Sequence, residues 1–248
     1  MKRHFYFFII ASLLVVQSCT TVHLIPAEVL HENYPVTNNQ KHDSAILMML
    51  SPYKDSVNKT MNRVIGFATE TLNKTNGQVS LGNFFTDAMK KMGEKYFKRK
   101  IDVTVVNYGG MRSYIPKGDI TVGKMYELMP FDNLIVLQEV KGSLLKQFLD
   151  HTANAGGWPV NGVTMTIKNK RAEDILVGGK PLDKNATYVL ANSDYVANGG
   201  DNSEMLKPIR QINIGYLMRD ALIEYVQHFT SNGKPVTANQ EIRITNAD

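Results

Sequence analysis

Two hydrophobic periods alternate along residues 43–246, and that alternation constrains the fold more than any other feature of the chain. Leu81, Phe84, Phe85, Ala88, Met89, Met92 and Tyr96 recur at three- and four-residue spacing, the mark of one buried helix face. Ser80 is placed to cap that helix at its N-terminus. Ile214, Leu217, Met218, Ala221, Leu222, Tyr225, Val226 and Phe229 trace a second face, which Asn232-Gly233 ends. Further helices are predicted over 43–59, 122–128 and 142–153. Between them lie short β-branched or alternating runs, read as strands at 64–69, 102–107, 134–140, 163–167, 174–177, 188–192 and 241–245. Strands and helices mixed in this order predict an α/β or α+β fold with a mixed sheet, in a single domain over 43–246. No internal repeat or low-complexity block interrupts it.

Composition adds exclusions. With 43% hydrophobic and 21% charged residues, the 248-residue chain is neither collagen-like nor disordered. Its net charge of +5 includes Lys2 and Arg3, and the remaining excess is mild and scattered, so charge gives no reason to expect nucleic acid as a partner. The one cysteine, Cys19, can form neither an intrachain disulfide nor a thiolate metal site. Lys2, Arg3 and His4, then an apolar run from Phe5 to Val16, then Ser18 and Cys19, follow the order of a secretory signal. Val16-Gln17-Ser18-Cys19 resembles the lipobox of bacterial lipoproteins, which predicts cleavage after residue 18 and acylation of Cys19. The alternative is a soluble secreted protein cut nearby, with a free thiol. Residues 19–42 carry Pro26, Pro35 and no sustained period, and read as a tether. The expected location is the cell envelope, lipid-anchored to a membrane through Cys19, as a periplasmic or outer-membrane lipoprotein.

Familiar catalytic patterns do not occur. The six histidines include no His-x-His pair and no His-Glu-x-x-His. His151 and His228 fall in the folded body, each near a helix end, where a surface histidine set favourably against the helix dipole is the plain reading. No Gly-x-Ser-x-Gly elbow, phosphate-binding Gly-Lys-Ser/Thr loop or Gly-x-Gly-x-x-Gly turn is present.

Three segments have the composition of a binding site. Asn107-Tyr108-Gly109-Gly110-Met111-Arg112 follows a predicted buried strand; its glycines allow close backbone approach, Asn107 both donates and accepts, and Arg112 offers a planar cationic fork. A tight turn with an exposed arginine is the alternative. Met129-Pro130-Phe131-Asp132-Asn133 presents an aromatic in a loop, which a core plug would also explain. Asn192 to Asp201 follows another strand and carries Tyr195, paired glycines and Asp201, against a simple hairpin turn. Two rings, an arginine, an asparagine and an aspartate suit a nucleoside or nucleotide: the rings for a base, Asp201 for vicinal hydroxyls, Arg112 for the phosphate side.

These segments carry a resemblance. Residues 79–246 resemble the C-terminal, substrate-binding domain of periplasmic and cell-surface 5′-nucleotidases. The likeness runs through Leu81-Gly82-Asn83 with Asp87-Ala88-Met89, the 107–112 segment, Gly118-Asp119-Ile120-Thr121 and Leu128 to Asn133. It continues through Val140-Lys141-Gly142-Ser143-Leu144-Leu145 and Tyr195 to Asp201. The resemblance implies an α/β domain, over 43–246, that binds the nucleoside part of a nucleotide. Base-clamping rings fall on Phe131 and Tyr195, the second a tyrosine where phenylalanine is common. The ribose aspartate falls on Asp201, and the asparagine, close-approach glycine and arginine on Asn107, Gly109 and Arg112.

Two departures qualify it. No counterpart of the family's metallophosphatase domain, with its two-metal site, is expected before residue 43, and Lys74, Thr75 and Asn76 stand where a further arginine is frequent. The expectation is therefore a nucleotide-binding subunit of a split 5′-nucleotidase in nucleotide catabolism. It would have no catalytic residue, metal or cofactor of its own and would act with a separate metallophosphatase chain that holds the divalent metals. The alternative is a non-catalytic nucleoside-binding envelope lipoprotein.

Overall fold

The computed structural model describes residues 43–74, 80–237 and 239–247. The expected signal (1–18), the tether (19–42) and the lipidation site Cys19 lie outside the described residues.

The first helix, α1 (Ser44–Met61), has no buried residue. It leads to β1 (Val64–Ala68), which pairs antiparallel with β3 (Gly118–Thr121) in a two-stranded sheet. A five-stranded sheet forms the centre. It is built from β2 (Val103–Val105), β4 (Leu134–Lys141), β5 (Val160–Asn161), β9 (Thr187–Ser193) and β10 (Gln211–Leu217), in the order β10-β4-β9-β2-β5. Within it β2 and β9 run parallel and the other neighbours antiparallel. A four-stranded sheet, β11-β6-β7-β8, contains β6 (Val163–Lys168), β7 (Arg171–Val177), β8 (Lys180–Pro181) and β11 (Ile244–Asn246).

The central sheet is buried on both faces, because alternate residues of each strand serve different cores. Ile135, Leu137 and Ala191 face a cluster with α2 (Ser80–Phe97), α3 (Val122–Leu128) and α6 (Met218–Ser231). Val103, Val105, Val140 and Leu190 face a second cluster, in which Leu145, Phe148 and Leu149 of α4 (Gly142–Asn154) meet Trp158 and the small sheet. Buried Arg243 fixes the C-terminal segment through Asp87 (2.7 Å), Glu241 (2.7 Å) and the Val160 carbonyl (3.0 Å). The mixed α/β class expected from sequence is the observed one. Among the described residues no helix is long and apolar enough to cross a membrane.

Register explains where a site can form. Ile135 near the start of β4 pairs with Ser193 at the end of β9, and Thr104 of β2 pairs with Ala191. Three adjacent strands therefore deliver 107–112, 129–133 and 194–201 to one end of the sheet.

Two expectations need correction. The helix read from Ile214 onward starts at Met218; Ile214 and Leu217 belong to β10. Their helical spacing to Met218 and Ala221 is fortuitous, since Ile214 is half exposed and the β10–β4 register shifts between Asn213 and Leu217, where Gly215 has φ 74°. Ser80 is the first residue of α2, not its cap. Its hydroxyl accepts from the Asn73 amide (3.1 Å) and donates to the Asn73 carbonyl (3.3 Å), tying the start of the helix to Asn73.

Candidate ligand-binding site

Asn107, Gly109, Arg112, Phe131, Tyr195 and Asp201 line one cleft of about 320 Å³, together with Gly110 and Asn133. Phe131 is 39% exposed and Tyr195 46%, so neither ring is a core plug.

Asn107 follows β2 and is 3% exposed. Its side-chain amide donates to Asp201 Oδ2 at 2.5 Å, joining the first loop to the third. The turn Tyr108–Gly110 closes through Gly110 N–H to the Asn107 carbonyl (3.0 Å) and Met111 N–H to the Tyr108 carbonyl (3.2 Å). A Cβ on Gly110 would stand 3.1 Å from Asn107 Oδ1, so a side chain there would crowd the amide. The Arg112 amide donates to the Leu128 carbonyl (2.9 Å), and its guanidinium carbon lies 5.6 Å from the Phe131 ring centroid, within cation–π range. A cationic fork and an aromatic face thus form one wall.

The third loop is built around Asp201. Ser193 caps the short helix α5 (Asp194–Ala197) by accepting from Val196 N–H (3.1 Å). Asp194 Oδ1 accepts from the Leu134 amide (3.0 Å), tying the loop to the start of β4. The Tyr195 hydroxyl donates to Asp201 Oδ1 (3.0 Å) and accepts from the Asp201 amide (3.3 Å). Both carboxylate oxygens thereby have a donor, and each keeps a lone pair for a further one. Asp201 is a left-handed non-glycine residue (φ 50°, ψ 39°), a conformation that aspartate adopts more readily than most residues.

Three side chains outside the expected set brace the three loops. Lys74 donates to the carbonyls of Tyr108 (2.7 Å) and Met111 (3.2 Å) and lies 5.4 Å from the Tyr108 ring centroid. Burial and the neighbouring Arg112 charge push its pKa below the usual lysine value. Arg219 of α6 is buried. It donates to the carbonyls of Met129 (3.1 Å) and Phe131 (3.1 Å) and to Asp132 Oδ1 (2.6 Å), with its guanidinium 4.1 Å from the Tyr126 ring centroid. His151 reaches the Asp201 carbonyl at 2.9 Å, so the plain reading of a helix-end surface histidine is incomplete. Lys74 stood out in the sequence by its place before α2. Arg219 and His151 carry no local signal, because each meets its loop only through tertiary packing.

Among the described residues no group of three or more His, Cys, Asp or Glu side chains could hold a metal ion. The cleft can instead stack a planar ring, accept hydroxyl protons at Asp201 and present a cation at Arg112.

Comparison with known proteins agrees in extent and kind. The family model described as "5'-nucleotidase, C-terminal domain" matches residues 57–208, more than half of the chain. A 5′-nucleotidase of Vibrio vulnificus is 26% identical over 211 residues, which cover 81% of this chain and 36% of that protein. An apyrase of Tabanus yao is 26% identical over 230 residues, covering 80% of this chain and 41% of its own length. The crystal structure of a 5′-nucleotidase precursor from Thermus thermophilus superposes with a TM-score of 0.70 at 28% identity, over 80% of this chain and 42% of that one. The chain thus spans well under half the length of these relatives. On the extent of the family match and the shared fold, it belongs to the 5′-nucleotidase C-terminal domain family.

Proposed function

We propose that this chain is the nucleotide-binding subunit of a 5′-nucleotidase made in two pieces, in which a separate metallophosphatase chain breaks the phosphoester. The observation that carries the reading is the cleft at the end of β2, β4 and β9, where two half-exposed rings, Asp201 and Arg112 meet. Phe131 and Tyr195 flank the base, and stacking contributes about 1–3 kcal/mol per base. Asp201 accepts from the ribose hydroxyls, and Arg112 faces the phosphate. The chain's part in turnover is positioning: a nucleoside held in one orientation presents its phosphate to the partner at high effective concentration. In this reading the divalent metals sit in the partner chain, and this chain's part is to hold the nucleotide. Nucleic acid is not a ligand in this reading. The signal-like N-terminus and the lipobox-like Val16-Gln17-Ser18-Cys19 support a lipid-anchored location in the cell envelope in this reading.

The test is AMP hydrolysis with divalent metal, by this chain, by a candidate metallophosphatase chain, and by the two mixed, with calorimetric titration of AMP onto this chain. Binding by this chain with hydrolysis only in the mixture is the expected result. Strong hydrolysis by this chain unaided overturns the split. Binding with no phosphatase recovered from envelope extracts supports the non-catalytic binder instead.

A further inference from the structure

We infer that His151 is a positioning residue for Asp201, acting on the carboxylate through the backbone from outside the cleft. The inference rests on the reading of Asp201 as the group that accepts the ribose hydroxyls. His151 lies in the last turn of α4 and does not line the cleft. Its Nε2 is 2.9 Å from the Asp201 carbonyl oxygen. A carbonyl only accepts, so Nε2 carries the proton in this contact. The imidazole is set by the core: its ring meets Trp158 edge-on (centroids 5.5 Å apart, planes at 84°), and Trp158 meets Phe148 of the same helix in the same way (6.1 Å, 80°). Phe148 is fully buried and Trp158 is 4% exposed.

The segment held by this donor runs through left-handed backbone, a region that aspartate and asparagine enter at modest cost. Gly199, Asp201 and Asn202 all have positive φ (92°, 50° and 61°), and two of the three are not glycine. The carboxylate is fixed by Asn107 and Tyr195, and the peptide behind it by His151. Without the His151 donor, the left-handed turn loses the contact that joins it to α4, and the carboxylate loses its aim while the rings of the cleft remain.

Two variants separate positioning from mere packing. His151→Phe keeps an aromatic edge for Trp158 and removes the donor. His151→Gln restores an N–H near the position of Nε2. Calorimetric titrations use adenosine and 2′,3′-dideoxyadenosine, the second lacking the diol. Wild type should favour adenosine. His151→Phe should weaken adenosine about tenfold, the size of one misplaced hydrogen-bonding group, leave the dideoxy compound nearly unchanged, and be rescued by His151→Gln. Equal weakening of both ligands, or no rescue, overturns the inference. A ligand-free arm measures exchange of the Asp201 amide proton, expected to quicken in His151→Phe and recover in His151→Gln. Unchanged exchange in His151→Phe overturns the positioning role. If wild type binds neither compound, the reading of the cleft fails, and the exchange arm still decides whether His151 fixes Asp201.

Discussion

Gly200 sits under the face of Tyr195, and a Cβ built there would stand 2.4–2.6 Å from the ring atoms Cε1, Cζ and Cδ1. No side chain fits unless the ring swings away. Gly200 itself does not need a left-handed backbone, so Gly200→Ala tests the ring's position with little added backbone strain. The displaced ring would drop its hydroxyl contact with Asp201 and leave the base without one wall. The expected result is a loss of AMP affinity approaching that of Tyr195→Ala or Phe131→Ala, each worth about 1–3 kcal/mol by the usual scale of base stacking. Far-ultraviolet circular dichroism should be unchanged. Wild-type affinity in Gly200→Ala would mean that the ring at position 195 is not a wall of the bound state. The tyrosine adds what a phenylalanine cannot: its hydroxyl links the ring to the Asp201 carboxylate within the third loop.

At the scale of elements, the loops are held by long side chains arriving from helices. Arg219 is the clearest case. It enters from the first turn of α6, 6% exposed, and spends its donors on two carbonyls of the 129–131 bend and on Asp132. Arg219→Leu would leave the buried Met129 carbonyl and the partly buried Phe131 carbonyl without a donor, and an unsatisfied buried polar group costs about 1–3 kcal/mol. Because Asp132 is itself exposed and can turn to water, the lower end of that range is expected by urea unfolding, with AMP binding weakened as Phe131 loses its fixed bend. Arg219→Lys should recover only part of either, since an ammonium cannot reach three acceptors with a planar fork. An Arg219→Leu protein as stable as wild type would refute the brace.

The same scale shows what could be read beforehand. The α2 stripe from Leu81 to Met92 and the β-branched run at 103–105 were legible because burial imposes one period on each. The α6 start is hidden in the sequence because the apolar residues of β10 continue at helical spacing into Met218 and Ala221. The residues that line the cleft were legible as unusual loop chemistry. Their convergence was not, because it depends on β4 running antiparallel to β9 while β2 runs parallel to it. Contacts such as Asn107 to Asp201, 94 positions apart in sequence, leave no trace in local pattern.

For the whole molecule, the outlying surface is as informative as the cleft. Met49 (65% exposed), Leu50 (47%), Tyr53 (72%) and Val57 (54%) occupy one stripe of α1, and no residue of that helix is buried. Such a stripe on a helix ordinarily packs against something. In the proposed two-piece enzyme, the phosphatase chain must lie close enough for a phosphate held at Arg112 to reach it, and a contiguous apolar face is the kind of surface a lasting partner covers. Replacing Leu50 and Tyr53 together by glutamate puts two charges in that face and disturbs no buried contact within the domain. The double variant should fold with unchanged urea midpoint, bind AMP as wild type does, and fail to retain the phosphatase chain in size-exclusion chromatography, with hydrolysis in the mixture falling at least about tenfold. Retained complex and full activity would show that the partner docks elsewhere. A lowered midpoint would show that the stripe serves this chain's own fold.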